Sequence, residues 1–171
     1  MTDGSDSTNG SGAMDGRYMT DERFMKEALR QARRGLAKGE TPVGAVIVKD
    51  GTIIARAHNE RETKQDATMH AEITAIRKAC KKLGSWRLIG CDIYVTLEPC
   101  AMCAGAIVLA RLDRVIFGAP DAKSGACGSV MNITNDHSLN HRPDVLPEIL
   151  RDECAGLISG FFYDLRNKKS E

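Results

Sequence analysis

The sequence predicts an α/β protein in which a single mixed sheet carries helices on its faces. Two patterns support this fold class: a turn dipeptide between two apolar runs, which indicates antiparallel strands, and a later strand–helix–strand succession, which indicates a parallel crossover. The chain has 171 residues, about the size of one compact domain. No internal repeat is evident, so we expect one folded domain.

The amino-terminal segment predicts a tail followed by a helix. Residues 1–17 are rich in Gly, Ser, Asp and Thr and have almost nothing to bury, so we predict a disordered tail there and a folded domain at residues 18–171. Thr20 is the predicted N-cap of a helix whose apolar residues share one face. These are Phe24, Ala28, Leu29, Ala32 and Leu36. The opposite face carries the basic residues Arg30, Arg33, Arg34 and Lys38. They are either a solvated surface or a contact to phosphate groups.

A hairpin and a second helix follow. Asp50-Gly51 suits the positive backbone angles of a tight turn, and it joins the apolar runs 45–48 and 53–55. The pattern from His70 to about Leu83 is helical, and Gly84 is a natural stop for that helix. The second predicted helix therefore opens on a histidine.

The second half of the chain predicts the parallel crossover and then a long connection. The predicted elements are a buried strand at 93–97, a helix from about Pro99 to Ala110, a strand at 115–117, a short extended segment near Val145 and a helix from about Arg151 to Leu165. Residues 118 to about 143 form a connection of a length that is uncommon unless it is functional.

Composition limits the partners and the compartment. The 24 basic residues nearly match the 23 acidic ones, and the net charge of +1 means that any basic surface for RNA must be local. No apolar run approaches the roughly 20 residues that a membrane span needs, so we expect a cytoplasmic protein. Six cysteines, two of them in a Cys-x-x-Cys spacing, indicate metal binding in a reducing compartment rather than a disulfide framework.

Cys100 and Cys103 are the predicted core of a metal site. Their spacing at a helix start puts both sulfurs on one face, Pro99 suits the first helical position, and the helix dipole favours the thiolates that zinc requires. The alternative is a coincidental pair of small buried cysteines. His70 would complete a Cys₂His set that leaves one position of a tetrahedral ion open for water. A fourth ligand would have to come from Cys80, Cys91, Cys127, Cys154, His58, His137 or His141, none of which has a ligand-like spacing to the three.

Glu72 is the candidate proton-transfer group. It follows His70 by two residues, which on a helix rotates it roughly 200° away, so the two side chains need not both bind the metal. A carboxylate in the first turn can still be aimed at metal-bound water. Its alternative interpretation is a solvated carboxylate that complements the helix dipole.

These residues resemble a known signature. His70-Ala71-Glu72 followed by Pro99-Cys100-Ala101-Met102-Cys103 is similar to the His-x-Glu and Pro-Cys-x-x-Cys motifs of the zinc-dependent nucleobase deaminases, the cytidine and deoxycytidylate deaminase superfamily. Within it, the chain from about Met19 to Leu165 most resembles the bacterial tRNA-specific adenosine deaminases. The additional motifs are Thr41-Pro42-Val43-Gly44-Ala45, Asn59, Val95-Thr96-Leu97-Glu98-Pro99-Cys100, Phe117-Gly118-Ala119 and Asp121-Ala122-Lys123-Ser124-Gly125.

The resemblance implies a fold, an activity and a set of partners. It implies a three-layer α/β/α cytidine-deaminase-like fold with a five-stranded mixed sheet, a homodimer, and hydrolytic deamination of adenosine to inosine at the wobble position of a tRNA anticodon stem-loop. It also implies one Zn²⁺ per subunit held by His70, Cys100 and Cys103, with Glu72 as the proton shuttle. The implied RNA contacts are Asn59 beside Pro42, Val43 and Gly44 at the flipped nucleotide, Asp121 and its loop at the anticodon backbone, and Asn140, His141, Arg142, Phe161 and Phe162 along the RNA surface.

Three departures from the family pattern and two rival functions remain open at this point. The tail before Tyr18 is longer than the family usually shows. Pro120 replaces a common basic residue and removes a possible phosphate contact, and Ala67 replaces a frequent proline. One rival function is deamination of a free base or nucleotide such as guanine, cytosine or deoxycytidylate, because the metal signature is shared across the superfamily. The other is a zinc-stabilised RNA-binding protein without catalysis, against which Glu72 argues.

Overall fold

The first helix is longer than the sequence predicts. The computed structural model describes residues 11–168, and α1 spans Ser11–Leu36. Thr20 therefore lies inside α1 rather than at its cap, and its hydroxyl donates a hydrogen bond to the Gly16 carbonyl at 2.9 Å. A threonine can lie within a helix when its hydroxyl donates a hydrogen bond to the backbone carbonyl four residues earlier. Residues 1–10 of the predicted tail lie outside the described residues, and the predicted boundary at residue 18 falls within α1.

A five-stranded mixed sheet forms the centre of the domain, as predicted. The strands are β1 (Gly44–Lys49), β2 (Thr52–His58), β3 (Cys91–Leu97), β4 (Arg114–Ala119) and β5 (Asp144–Leu146). Their order is β2-β1-β3-β4-β5; β1 runs antiparallel to β2 and β3, and β4 runs parallel to β3 and β5. Asp50 (φ 49°) and Gly51 (φ 70°) form the predicted turn between β1 and β2.

The remaining helices are α2 (Arg61–Lys64), α3 (Ala71–Leu83), α4 (Ala101–Leu109) and α5 (Arg151–Lys168). Gly84 ends α3 in the left-handed region, as predicted. The four-residue α2 was not predicted, because so short a segment carries no apolar periodicity. Within the long connection, a single 3₁₀ turn spans Ile133–Asn135.

Two apolar layers cover the two faces of the sheet. On one face, Ala28 and Leu29 of α1 and Cys154 of α5 pack with Val46 and Tyr94. On the other, α3 and α4 pack against the strands; the buried residues there include Ala75, Ala79, Ile107, Ile47, Ile93 and Val115. The predicted three-layer α/β/α arrangement is therefore confirmed. None of the helices among residues 11–168 has the length and apolar character that crossing a membrane requires.

Candidate active site

His70 and Cys100 occupy the same structural position at the start of two neighbouring helices. Each is an N-cap with extended backbone: His70 (φ −74°, ψ 154°) precedes α3, and Cys100 (φ −72°, ψ 175°) precedes α4. The prediction that Pro99 is the first helical residue is wrong, because Cys100 is the cap and Pro99 lies before it. Cys103 is in the first turn of α4, so both thiols lie at the helix start as predicted.

The three predicted ligand atoms converge. The Sγ atoms of Cys100 and Cys103 each lie 3.6 Å from Nδ1 of His70. All three donor atoms are within 4.8 Å of one another, so His70, Cys100 and Cys103 form a cluster that can hold a metal ion. Across residues 11–168, no fourth His, Cys, Asp or Glu joins this cluster. A bound ion would therefore keep a position that the protein does not fill.

The two thiols differ in their electrostatics. A hydrogen bond from the Cys103 thiol, assisted by His70, lowers the pKa of Cys100 to about 4, so Cys100 is a thiolate at neutral pH. The same hydrogen bond and burial raise the pKa of Cys103. The hydrogen bond with Cys100 also raises the pKa of His70. The protonation state of each of these three side chains therefore depends on that of the other two.

Glu72 is a buried carboxyl in the same cavity. Its side chain lies in the first turn of α3 and the residue is 4% exposed, so the alternative interpretation of a solvated carboxylate is wrong. Burial raises the pKa of Glu72 to about 7, although the positive charge of His70 acts to lower it. A carboxyl with such a pKa can both accept and release a proton near neutral pH.

A cavity of about 230 Å³ brings several of the predicted site residues together. Those that line it are Val43, Asn59, His70, Glu72, Cys100, Asp121 and Phe162. Thr41 and Ser124, which belong to the quoted motifs but were given no role of their own, also line it, as does Arg61, which the sequence did not single out. Side chains from both halves of the chain thus surround one space beside the metal-binding cluster.

Other predicted contact residues do not line this cavity. Gly44 faces α1: a Cβ at this position would lie 2.0 Å from the Ala28 carbonyl oxygen, so glycine permits close packing of the strand on the helix. Nε2 of His141 hydrogen-bonds the Leu112 carbonyl at 2.7 Å. Asn140 and Arg142 are exposed, Pro42 is buried, and Phe161 makes an edge contact with Phe162 at 5.3 Å between ring centroids.

Two buried carboxylates that the sequence did not assign a role hydrogen-bond to residues that line the cavity. Glu98 accepts hydrogen bonds from the backbone amides of Asp121 (2.9 Å), Cys127 (3.0 Å) and Ser129 (3.0 Å), and from the Ser129 hydroxyl. Glu40 accepts hydrogen bonds from the side-chain amide of Asn59 and from the backbone amides of Glu62 and Thr63 in α2. The available signal was an isolated acidic residue beside a proline motif: Glu98 precedes Pro99, and Glu40 precedes Thr41-Pro42.

Comparison with known proteins agrees with this geometry. The chain matches the MafB19-like deaminase family over residues 19–166. It is 53% identical over 149 residues to a tRNA-specific adenosine deaminase of Bacillus subtilis, covering 87% of this chain and 92% of the relative. The chain belongs to the tRNA-specific adenosine deaminase family. This deaminase is therefore an enzyme. The rival interpretation, a zinc-stabilised RNA-binding protein without catalysis, is wrong.

Two solved structures that resemble this deaminase differ in how much of the chain they cover. A structure from a study of A-to-I editing by tRNA:A34 deaminases at the wobble position of transfer RNA is 46% identical, with a TM-score of 0.77 over 79% of this chain and 98% of that chain. A guanine deaminase structure from Bacillus subtilis is 51% identical, with a TM-score of 0.56 over 58% of this chain and 64% of that chain. The first match supports the predicted cytidine-deaminase-like fold over nearly the whole of that related structure.

Proposed function

We propose that this deaminase converts adenosine to inosine at the wobble position of a tRNA anticodon, with zinc as its metal. The observation that carries the proposal is the convergence of His70 Nδ1 and the Sγ atoms of Cys100 and Cys103, each sulfur 3.6 Å from the nitrogen, beside the buried carboxyl of Glu72. The nearly complete coverage of tRNA-specific adenosine deaminases supports the choice of substrate.

The donor set supports zinc over other metals. Two thiolates and one imidazole are the ligands that zinc takes in deaminases and related catalytic sites. A tetrahedral site with bonds of about 2.0 Å to nitrogen and about 2.3 Å to sulfur would separate these two atoms by about 3.5 Å. The two nitrogen–sulfur separations of 3.6 Å are close to this value. When bound, zinc lowers the pKa of a coordinated water toward about 7 and so supplies a nucleophile at neutral pH.

The protein side chains would handle the protons. With its pKa raised to about 7, Glu72 would accept a proton from the attacking water and deliver it to the ring nitrogen as the C6–O bond forms. It would then accept the second proton, from the hydroxyl now on C6, and deliver it to the amino group as the C6–N bond breaks. The amino group leaves as ammonia. Because the residue is buried, its proton is exchanged with the substrate rather than with bulk solvent.

Neighbouring residues would bind the nucleotide. Asn59, Val43 and Phe162 line the cavity, where they can contact an enclosed base, and Asp121 also lines it, in the loop that Glu98 supports. Pro42 and Gly44 would act through the placement of Val43, the residue between them. A base must leave its stack to enter such a cavity, which costs least in a single-stranded loop such as an anticodon. Asn140, His141, Arg142 and Phe161 would complete the proposed RNA surface.

The outer face of α4 supports the proposed homodimer. Met102 (37% exposed) and Leu109 (69% exposed) lie two helical turns apart on this face. The helix sequence AMCAGAIVL contains no charged or polar side chain other than the thiol of Cys103, which is turned inward. A second copy of the chain would cover this apolar face. Light scattering should give a dimeric mass for the wild type and a monomeric mass for Leu109→Glu; a monomeric wild type would contradict the dimer.

The cysteines support a cytoplasmic location. All six are free, including the buried Cys91, Cys127 and Cys154, and two of them form the metal-binding cluster. Free thiols that bind a metal persist best in a reducing compartment.

One observation favours a second candidate substrate. The guanine deaminase structure is 51% identical to this chain where the two align, so local identity alone does not distinguish adenosine from guanine. That alignment covers 64% of the guanine deaminase chain, whereas the curated tRNA-specific relative is covered over 92% of its length. Adenosine in tRNA is therefore the better-supported substrate.

Sequencing of a tRNA pool before and after incubation with the protein tests the proposal, because inosine is read as guanosine. The expected result is an adenosine-to-guanosine change confined to the first anticodon position, with release of ammonia. Separate incubations with free guanine and free cytidine should release none. Release of ammonia from a free base, together with unchanged tRNA, would show that the substrate is the free base and not tRNA.

A further inference from the structure

Glu40 is a fully buried charged residue beside the cavity that takes no part in the proposed chemistry. It lies between α1 and β1 and is 0% exposed. Its carboxylate accepts four hydrogen bonds: from Asn59 Nδ2 (3.1 Å), the Glu62 amide (3.1 Å), the Thr63 amide (2.6 Å) and the Thr63 hydroxyl (2.6 Å). Burial opposes ionisation, but these hydrogen bonds outweigh it and lower the pKa of Glu40. The residue is therefore a buried carboxylate at neutral pH.

The two carboxylate oxygens have different partners. Oε1 accepts both hydrogen bonds from Thr63, whereas Oε2 accepts those from the Asn59 side chain and the Glu62 amide. A carboxylate is only an acceptor, so the Asn59 amide must turn its NH₂ group toward Glu40. The opposite flip would place the Asn59 carbonyl oxygen against a carboxylate oxygen. Glu40 therefore selects one of the two orientations of this amide.

The backbone of Asn59 is already fixed on both sides. Its amide donates to the Val43 carbonyl at 3.0 Å, and its carbonyl accepts a hydrogen bond from Nδ1 of His58 at 2.8 Å. The side chain lines the cavity together with His70 and Glu72, and Asn59 is 5% exposed. The flip of the amide is thus the remaining freedom at this position, and it decides where the cavity offers a donor and where it offers an acceptor.

We propose that Glu40 is a positioning residue that sets the donor and acceptor pattern presented by Asn59 to the bound nucleotide. The identity of that nucleotide rests on the proposed function, whereas the coupling between the two side chains does not. Glu40 also ties α2 to the same point through Glu62 and Thr63, and Arg61 of α2 lines the cavity. A single carboxylate therefore orders two parts of one wall.

The isosteric variant Glu40→Gln tests this role. Its amide oxygen can keep the Thr63 hydrogen bonds, but its NH₂ group then faces Asn59 and favours the reversed flip. We expect kcat/KM for tRNA to fall at least about tenfold, as misplacement of a binding group does. The matched control is Thr63→Val, which removes one hydrogen bond to Glu40 without affecting Asn59. This control should lower the Tm but keep kcat/KM within about twofold of wild type.

A double-mutant cycle decides whether Glu40 acts through Asn59. If it does, Glu40→Gln has almost no further effect on kcat/KM in an Asn59→Ala background, because the orientation it controls is gone. Multiplicative losses in the double variant, or full activity of Glu40→Gln, would overturn the proposal. If Glu40→Gln does not fold, Glu40→Asp takes its place in the cycle, since shortening withdraws the carboxylate from Asn59.

A measurement independent of turnover separates this inference from the proposed function. In wild-type protein the side-chain NH₂ protons of Asn59 should be protected and shifted in NMR spectra by their hydrogen bond to Glu40. Glu40→Gln should move these signals, and Thr63→Val should leave them in place. Unperturbed Asn59 signals in Glu40→Gln would overturn the positioning role. A wild-type protein that does not deaminate tRNA would instead overturn the proposed function and leave the NMR result to decide the coupling.

Discussion

Nδ1 of His70 lies 3.6 Å from the Sγ of Cys100, although 30 residues separate them in the chain. The contact exists because each residue caps the start of its helix, and α3 and α4 lie side by side on one face of the sheet. Their unpaired amide groups and helix dipoles favour negative charge at this point. The fold thus stabilises the Cys100 thiolate before any metal binds.

Loss of one thiol should remove the metal. Cys103→Ser keeps the size of a fully buried residue but replaces a soft sulfur ligand by a hydroxyl, so the bound metal should fall from about one per chain toward none, with loss of deamination. Elemental analysis of the purified protein measures this. Cys127→Ser is the matched control, because Cys127 is also buried but lies outside the cluster. Equal metal content in the two variants would contradict the assignment.

Loss of the proton-transfer group should separate binding from turnover. Glu72→Ala leaves the three ligand atoms intact, so metal content should remain at wild-type level while kcat falls roughly 10²–10⁴-fold. Single-turnover assays with tRNA, alongside elemental analysis, test both halves. Wild-type-like deamination by a well-folded Glu72→Ala protein would show that the role is misassigned.

The close packing of β1 on α1 should make Gly44 intolerant of any side chain. A Cβ there would lie 2.0 Å from the Ala28 carbonyl oxygen and 2.4 Å from the Ala32 nitrogen, so Gly44→Ala must displace backbone and should cost about 1–3 kcal/mol or more. Gly156→Ala is the control: its Cβ meets nothing within 4 Å, and alanine should stabilise α5 by up to about 1 kcal/mol. Thermal unfolding should therefore shift in opposite directions; a shared direction would refute the packing argument.

Much of the architecture was predictable where local chemistry and periodicity agree. Asp50-Gly51 predicts a turn because both residues tolerate positive φ, and both adopt it. His70 and Gly84 bound a helix whose apolar spacing is regular between them. The Cys-x-x-Cys pair predicts a metal-binding cluster because the helix geometry alone brings the two sulfurs together. These features depend on neighbours within a few residues, which a single sequence contains.

Features that depend on distant partners were not predictable in the same way. Glu40 looks like a solvated loop residue until Asn59 and Thr63 are placed against it in space. Gly44 belongs to a motif that resembles substrate contacts, yet its lack of a side chain serves the packing of α1 on β1. His141 likewise hydrogen-bonds Leu112, a contact that no local pattern indicates.

The buried carboxylate of Glu40 should make stability depend on pH. Its hydrogen bonds lower its pKa in the folded protein below the usual value of 4.5, so the unfolded chain binds the proton more readily than the folded one. The stabilisation is therefore complete above about pH 4.5 and is lost as the pH falls through the lower, folded value. Glu40→Gln lacks this contribution at every pH.

The difference in free energy of unfolding between wild type and Glu40→Gln isolates this effect. Titration of groups other than residue 40, such as His70 and Cys100, affects both proteins equally, so it cancels in the difference. Urea unfolding at a series of pH values should give a difference that is largest near neutral pH and shrinks in acid, because a protonated Glu40 resembles the amide. A difference that stays constant as the pH falls would mean that hydrogen bonding to the ionised carboxylate is not what stabilises this part of the fold.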